Sequence, residues 1–323
     1  MRRRRRRIVL LGIAALLAGL AWWRWLPAAR EPGFEHLATW GEGSGPGALE
    51  GPIGIALLGD EVVVSDAAAN RIVVYDRDGA WRRSFGERGD GPGQLDRPMH
   101  LAVHDGKIYV AEYLNDRIQV LAPDGGSLAA IGAGGDGPGD FDAPAGVAVD
   151  ERGRLWVADF YHHRVVLLDA GGGFLRELGR RGEPGRRPGR LRYPTDVALT
   201  PGGQVVVADA YNHRLQLFDP AGSPIGRWGG PFALGLPGPF HRWFNVATGV
   251  AVGPRGALWV ADFYNHRIQK LSPGGRFLAA FGGPGSGPGR LDRPTDLAVA
   301  GDGRIYVADF GNGRVQVFRQ LPR

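Results

Sequence analysis

The chain has 323 residues, no cysteine and a net charge of +6. The lack of cysteine excludes disulfide bonds and thiolate metal sites. The positive charge is confined to the amino terminus, because eight arginines and one glutamate give residues 1–31 a charge of +7 and leave −1 for residues 32–323. A nearly neutral body lacks the basic excess of a protein that binds phosphates, which argues against nucleic acid as the partner.

The amino-terminal segment predicts a membrane anchor. Six arginines, Arg2 to Arg7, precede an apolar run that continues to Leu26, about the length that crosses a bilayer. By the positive-inside rule, residues 1–7 form a cytoplasmic stub, residues 8–26 a single transmembrane signal-anchor in the cytoplasmic (inner) membrane, and everything after the linker 27–33 lies on the periplasmic side. A cleaved secretory signal is the alternative, although tryptophans stand where its small-residue cleavage site should be.

Six copies of one block follow. Each block opens with an apolar alternation that predicts a first strand. These stretches are PIGIALL (52–58), PMHLAV (98–103), PAGVAV (144–149), PTDVAL (194–199), ATGVAV (247–252) and PTDLAV (294–299). A second β-branched stretch ends in an acid, and five residues later an arginine opens a third strand. The acid and arginine pairs are Asp66 and Arg71, Glu112 and Arg117, Asp159 and Arg164, Asp209 and Arg214, Asp262 and Arg267, and Asp309 and Arg314.

A fourth strand, such as FLAAFG, completes each block except the last, which ends after its third strand. Four strands in each repeat of 46 to 53 residues predict an all-β fold, a six-bladed β-propeller over residues 34–323. The stretch HLATWG (36–41) resembles FLAAFG, so we expect the amino-terminal strand to complete the last blade and close the ring.

The pattern V-A-D-x-x-N-H-R followed by an aliphatic residue, at Val207 to Leu215 and Val260 to Ile268, resembles the NHL repeat. The resemblance covers all six blocks and implies the propeller fold. Relatives include RNA-binding tripartite-motif proteins, peptide-amidating lyases and bacterial envelope proteins. The lyases hold zinc through channel histidines one position after the proline, where this chain has no histidine, so the resemblance does not imply their zinc chemistry.

The acid and arginine recur in every block, so we interpret them as structural pairs. A different pattern appears two residues after the proline position, where Gly54, Gly146 and Gly249 alternate with His100, Asp196 and Asp296. First strands line a propeller's channel, so these three polar side chains should converge and could hold a divalent cation, the one cofactor we consider, or a polar ligand. The alternative is that small and large residues alternate simply to fill the channel.

Two features of one rim are candidate binding residues. The loops between second and third strands present Tyr161, His162 and His163. The longest loop between blocks, residues 229–245, holds Phe240, His241, Arg242, Trp243 and Phe244, the composition of an interface anchor. The alternative is that both sets serve the fold, the histidines as part of the repeat and the aromatic residues as a cover over a blade junction.

No nucleophile elbow, phosphate-binding loop or zinc-binding histidine spacing occurs in the sequence. We therefore expect a membrane-anchored, non-enzymatic scaffold whose partner is an envelope protein or peptide. The alternative is a metal-dependent lyase or hydrolase with its site at the channel mouth.

Overall fold

The computed structural model describes residues 31–322. Within this range the chain forms 24 strands in six four-stranded antiparallel sheets, so the predicted six-bladed propeller is confirmed. The predicted membrane segment, residues 8–26, lies outside the described residues. None of the helices between residues 31 and 322 is long and apolar enough to span a bilayer.

The first three blades, from the inner to the outer strand, are as follows. Blade 1 contains β2 (Pro52–Leu58), β3 (Glu61–Asp66), β4 (Arg71–Asp76) and β5 (Trp81–Phe85). Blade 2 contains β6 (Pro98–His104), β7 (Lys107–Glu112), β8 (Arg117–Leu121) and β9 (Ser127–Ile131). Blade 3 contains β10 (Pro144–Val149), β11 (Leu155–Asp159), β12 (Arg164–Leu168) and β13 (Phe174–Gly179).

The other three blades follow the same order. Blade 4 contains β14 (Asp196–Leu199), β15 (Val205–Asp209), β16 (Arg214–Phe218) and β17 (Pro224–Trp228). Blade 5 contains β18 (Ala247–Val252), β19 (Leu258–Asp262), β20 (Arg267–Leu271) and β21 (Phe277–Gly282). Blade 6 contains β22 (Pro294–Val299), β23 (Arg304–Asp309), β24 (Arg314–Gln320) and β1 (Phe34–Trp40). Single 3-10 turns are Ala210–Asn212, Pro231–Ala233, Pro254–Gly256, Phe263–Asn265 and Phe310–Asn312.

The ring closes through the amino-terminal strand, as the sequence predicts. Strand β1 pairs antiparallel with β24, and the register aligns Phe34 with Gln320 and Trp40 with Val315. The outermost position of blade 6 therefore comes from the start of the propeller and the other three strands from its end. This pairing removes the open edge that β24 would otherwise present.

The hydrophobic core is divided among the blade junctions. Six clusters of buried side chains are found among the described residues, each formed by two neighbouring blades. The junction of blades 6 and 1, for example, buries Trp40, Tyr75 and Tyr306 together. Each blade is therefore stabilised by both neighbours, which makes closure of the ring an energetic requirement.

The two faces of the ring carry different loops. The upper face is defined here as the one that carries the loops between second and third strands and the loops between blades, and the lower face is the opposite one. The described chain begins at the lower face, where Glu31 Oε2 lies 2.5 Å from Lys270 Nζ and accepts a hydrogen bond of 2.9 Å from Gln320 Nε2. The upper face is therefore remote from the point where the amino-terminal segment joins the ring.

Candidate functional site

The acid and arginine pairs hold the loops between blades. In blade 4, Arg214 Nε donates to Asp209 Oδ2 at 2.7 Å, and its two amino groups donate to the carbonyl oxygens of Arg186 and Arg190, among others. Asp209 Oδ1 accepts a hydrogen bond of 2.7 Å from the backbone of Arg192. Each described blade repeats the ion pair between its acid and its arginine. This geometry gives the pairs a structural explanation.

In blades 1 to 5, the residue before the arginine links its blade to the next one, while blade 6 has Gly313 at this position. His213 Nδ1 accepts a hydrogen bond of 3.1 Å from the backbone N–H of Val246, which opens blade 5. His163 accepts in the same way from Tyr193 at 3.2 Å. Asn70, Asp116 and His266 occupy the same position in blades 1, 2 and 5, and all five have a left-handed backbone with φ between 50° and 59°. The histidines of the repeat are thus inter-blade contacts.

Acid should weaken these contacts. Burial, reinforced by nearby arginines, lowers the pKa of both His163 and His213. A histidine whose pKa is lower in the folded state stabilises the fold above its unfolded pKa of about 6.5, and that stability is lost as the pH falls through the folded pKa. Because an imidazolium has no acceptor, protonation also breaks the hydrogen bond to the next blade.

Replacing His213 with asparagine, the residue that blade 1 uses, should preserve stability near pH 7.5 and reduce its loss near pH 5.5. His213→Ala should instead lower the free energy of unfolding by about 1 to 3 kcal/mol at neutral pH, because the N–H of Val246 loses its acceptor. Urea unfolding of the three proteins at the two pH values measures both effects. Identical pH dependence in the asparagine variant and the unmodified protein would contradict this role.

Alternation of glycine and large residues in the channel has a steric cause. A Cβ on Gly54 would lie 2.7 Å from the Cα of His100, and one on Gly146 would lie 2.8 Å from the Cα of Asp196. A Cβ atom essentially never approaches another heavy atom this closely, so the first strands of blades 1, 3 and 5 carry glycine where they meet the neighbouring blade. Only blades 2, 4 and 6 can project side chains into the channel at this level.

His100, Asp196 and Asp296 converge, as the sequence predicts. His100 Nδ1 lies 3.4 Å from Asp296 Oδ2 and 3.8 Å from Asp196 Oδ2, and one ligand atom of each residue lies within 4.8 Å of the others. Each carboxylate also spans to the next blade, since Ile55 N donates to Asp296 at 2.9 Å and Val250 N to Asp196 at 2.8 Å. We call these three residues the channel triad.

The electrostatics of the channel triad reflect burial among like and unlike charges. Burial lowers the pKa of His100, but the carboxylates of Asp196 and Asp296 outweigh it and raise that pKa to about 9. Burial, with a contribution from Asp296, raises the pKa of Asp196 to about 7, while His100 opposes this shift. The triad therefore holds a proton tightly when no other cation is present.

A second constellation lies on the upper face beside the channel mouth. The ring of Phe160 contacts those of Tyr161 at 5.0 Å, Tyr193 at 4.9 Å, Tyr113 at 5.9 Å and Tyr211 at 6.1 Å between centroids. His163 joins this set edge-on through Tyr193, at 4.3 Å. These six residues, which we call the aromatic cluster, come from blades 2, 3 and 4.

The aromatic cluster is partly open to solvent. Tyr161 is 47% exposed and Tyr211 is 45% exposed, while Tyr113, Phe160 and Tyr193 are half-buried beneath or beside them. Burial, followed by the hydrogen-bonded hydroxyl of Tyr161, raises the pKa of Tyr113, so its phenol stays protonated and can donate. The surface thus combines apolar ring faces with hydroxyl groups, a composition typical of recognition sites.

A basic loop borders the aromatic cluster. Residues 180–192 join blades 3 and 4 and contain six arginines against one glutamate, which gives the loop a charge of +5. Ion pairs are present between Arg180 and Glu183, Arg190 and Glu183, and Arg181 and Asp136. Arg186, Arg187 and Arg192 make no ion pair within the described residues, so they leave a positive potential beside the rings.

The profile of the NHL repeat matches residues 141–166, 191–218, 244–271 and 291–318. These segments fall in blades 3 to 6, and blades 1 and 2 have the same strand order and the same acid and arginine pairs. The chain belongs to the NHL-repeat β-propeller family. No curated protein matches the sequence at a significant level.

Solved structures share the propeller fold at low identity. One is an inactive virginiamycin B lyase from Staphylococcus aureus with quinupristin, 15% identical with a TM-score of 0.60, covering 89% of this chain and 100% of its own. A gluconolactonase from Xanthomonas campestris is 14% identical (TM-score 0.64; 92% and 97%). An auxiliary nutrient binding protein from Bacteroides thetaiotaomicron is 12% identical (TM-score 0.65; 84% and 69%). At these identities the likeness shows the fold alone.

Two of the predicted rim residues are not on the surface of this NHL propeller. His162 is buried, and its Nδ1 lies 2.8 Å from Asp159 Oδ2. His163 is also buried, and its Nδ1 accepts a hydrogen bond from the backbone N–H of Tyr193. The prediction that they face a partner is therefore corrected, because both side chains are used inside the fold. Tyr161, the third residue of that prediction, is exposed.

Among the predicted interface residues of loop 229–245, Phe244 turns inward, while Phe240, His241, Arg242 and Trp243 are partly buried. Phe244 is fully buried in the core between blades 4 and 5, so its prediction as an exposed anchor is wrong. His241 stacks on Phe277 at 4.0 Å, and Phe240 contacts Trp243 edge-on at 5.1 Å. Arg242 donates its backbone N–H to Gln269.

The exposed part of this loop is its first half. Phe232 is 87% exposed, and Leu234 and Leu236 are exposed beside it. A Cβ on Gly235 would overlap the carbonyl oxygen of Asn212, which places this apolar stretch next to Tyr211. The sequence showed that the loop is aromatic but not which half faces the solvent.

Sequence reasoning missed Tyr113, Phe160 and Tyr193 of the aromatic cluster. Tyr113 and Phe160 directly follow the acids of blades 2 and 3, and Tyr193 directly precedes the proline of blade 4. The repeat contains a usable signal only at the second position, where the other blades have glycine, arginine, alanine or valine. At the first position, blades 5 and 6 also have phenylalanine and blades 1 and 4 have alanine. The positive charge of residues 180–192 is a second feature of the sequence that marks this part of the upper face.

Proposed function

We propose that this propeller is a non-enzymatic binding module that holds a segment of another protein or a peptide against the aromatic cluster. The observation that carries the proposal is the continuous set of rings across blades 2, 3 and 4, in which Tyr161 and Tyr211 are nearly half exposed. Rings that already contact one another lose little conformational freedom on binding, which favours affinity.

The chemistry of the surface defines the segment that fits it. Ring faces and the neighbouring Leu234 and Leu236 favour apolar or proline side chains. The basic loop, with Arg186, Arg187 and Arg192 free of ion pairs within residues 31–322, favours carboxylates. The expected ligand is thus an extended acidic segment with apolar side chains.

The position at which the chain enters the ring supports an orientation in which the aromatic cluster faces away from a membrane. Residue 31 lies on the lower face, and only residues 27–30 separate it from the predicted anchor, a reach of about 15 Å at most. An anchor at residues 8–26 would therefore hold the lower face close to the bilayer and direct the aromatic cluster toward the periplasm, where an envelope protein could reach it.

A metal-dependent lyase or hydrolase in the channel has less support. His100, Asp196 and Asp296 are 3%, 5% and 6% exposed, which leaves a substrate little access to them. The cavity of about 700 Å³ on the lower face offers no better metal site, because Asp150 in its lining is paired with Arg154 at 2.7 Å and no cluster of three possible metal ligands lines it within the described residues.

Selection of short peptides from a phage-displayed random library against the purified full-length protein tests the proposal. We expect the enriched sequences to combine apolar and acidic residues, and their binding to weaken as salt increases. Tyr161→Ala and Tyr211→Ala should each reduce affinity by about tenfold or more, because exposed aromatic anchors carry most of the energy of such interfaces.

Tyr264→Ala is the matched control. Tyr264 occupies the same loop position in blade 5 and is 55% exposed, but its ring contact is with Phe263 rather than with the cluster. Peptide affinity should be unchanged in this variant. Equal losses in all three variants, or single-stranded RNA of random sequence binding more tightly than any selected peptide, would refute the proposal.

A further inference from the structure

We propose that the channel triad binds one divalent transition-metal ion, which ties blades 2, 4 and 6 together across the channel. The inference is independent of the aromatic cluster and assigns the ion a structural role. It rests on a buried nitrogen that makes no hydrogen bond, on the spacing of the three side chains, on their charge and on their place in the ring.

The unpartnered atom is Nδ1 of His100. It is buried and makes no hydrogen bond within the described residues, although carboxylate oxygens lie at 3.4 and 3.8 Å. His162 provides a comparison in the same molecule, since its Nδ1 approaches Asp159 to an ordinary hydrogen-bond distance of 2.8 Å. The wider spacing around His100 leaves room for an ion where a hydrogen bond would have drawn the groups together.

The spacing suits ligands of a shared ion. Adjacent ligand atoms bound to one metal at about 2.1 Å lie about 3.0 Å apart in octahedral geometry and about 3.4 Å apart in tetrahedral geometry. The 3.4 Å separation between His100 and Asp296 falls in this range, and a small rotation of Asp196 would bring its 3.8 Å separation into it. Each carboxylate oxygen accepts one backbone N–H and retains a lone pair for the metal.

Charge balance favours a divalent ion. A neutral imidazole with two carboxylates carries a charge of −2, which a divalent cation neutralises inside a buried site. The donor set narrows the class, since imidazole nitrogen with carboxylate oxygen suits manganese, iron or zinc better than calcium or magnesium, which prefer oxygen alone.

The position in the ring gives the ion its role. The three ligands come from alternate blades, and the intervening blades carry glycine at this level, so the ion would be the central link among three blades that are not neighbours in the ring. Asp196 and Asp296 extend the link to blades 5 and 1 through their hydrogen bonds to Val250 and Ile55.

Thermal unfolding of the full-length protein in detergent tests the inference. After removal of metals with a chelator, Zn²⁺ or Mn²⁺ at a hundredfold excess over its dissociation constant should raise the midpoint by about 5 °C or more, since an ion that binds only the folded state stabilises it. Isothermal titration should find one ion per chain. Asp196→Asn and Asp296→Asn should abolish the shift, although asparagine can still accept the backbone hydrogen bonds and preserve the fold.

His104→Gln is the control, because His104 lies on the same strand as His100 but outside the triad. This variant should retain the full shift. The inference is overturned if no transition metal raises the midpoint, if only Ca²⁺ or Mg²⁺ does, if the shift persists in the asparagine variants, or if it disappears in His104→Gln.

Discussion

Replacing Arg214 with lysine is expected to lower the free energy of unfolding by about 3 kcal/mol. The side chain of Arg214 is 1% exposed and donates to Asp209 and to the carbonyl oxygens of Arg186 and Arg190. A lysine keeps the charge but cannot reach these acceptors together, so buried carbonyl groups lose their donors. Urea denaturation followed by tryptophan fluorescence measures the loss.

Arg71→Lys provides the comparison. Arg71 makes the equivalent ion pair in blade 1, but its side chain is 23% exposed, so water can replace the lost donors. Its cost should be about 1 kcal/mol. Peptide binding at the aromatic cluster should survive both substitutions. A loss of affinity in Arg214→Lys with unchanged stability would mean that the pair belongs to a binding site.

Trp40→Ala should destabilise the ring by about 3 to 5 kcal/mol. Trp40 ends the closing strand and is buried against Tyr306 at 5.4 Å and Tyr75 at 5.8 Å between ring centroids. Its removal leaves a cavity at the one junction that joins the two ends of the propeller. Deletion of residues 34–41 should go further, because β24 would then expose an unpaired edge and the protein should aggregate.

Trp81→Ala is the matched control, since Trp81 lies on the outermost strand of blade 1 and is 44% exposed, whereas Trp40 is buried. Its cost should stay within about 1 kcal/mol. Thermal scans with light scattering report both stability and aggregation. An unchanged midpoint after deletion of residues 34–41 would show that the ring does not depend on this closure.

The fold could be predicted from the sequence because the same pattern of strands occurs six times along the chain. The predicted first strand 52–58 matches Pro52–Leu58, and the predicted closing strand 36–41 overlaps Phe34–Trp40. Convergence of the channel triad also followed from topology, since first strands always line the channel. Topology does not provide distances between atoms, so the wide spacing around His100 could be seen only in the structure.

The upper face could not be predicted in the same way. His213 and Val246 are 33 positions apart in the sequence, and the repeat pattern contains no sign that one accepts a hydrogen bond from the other. Similarly, whether Phe232 or Phe244 faces the solvent depends on how loop 229–245 packs over blades 4 and 5. Contacts between blades determine which loop side chains are buried, and the sequence pattern within one blade contains no information about these contacts.

Hydrogen exchange of the full-length protein with and without a selected peptide tests the binding role most directly. We expect slower exchange in the backbone of residues 160–163, 193–195 and 210–213, the segments that carry or adjoin the aromatic cluster on blades 3 and 4. Protection confined to the lower face, or to residues 240–244, would contradict the assignment of the aromatic cluster as the binding site.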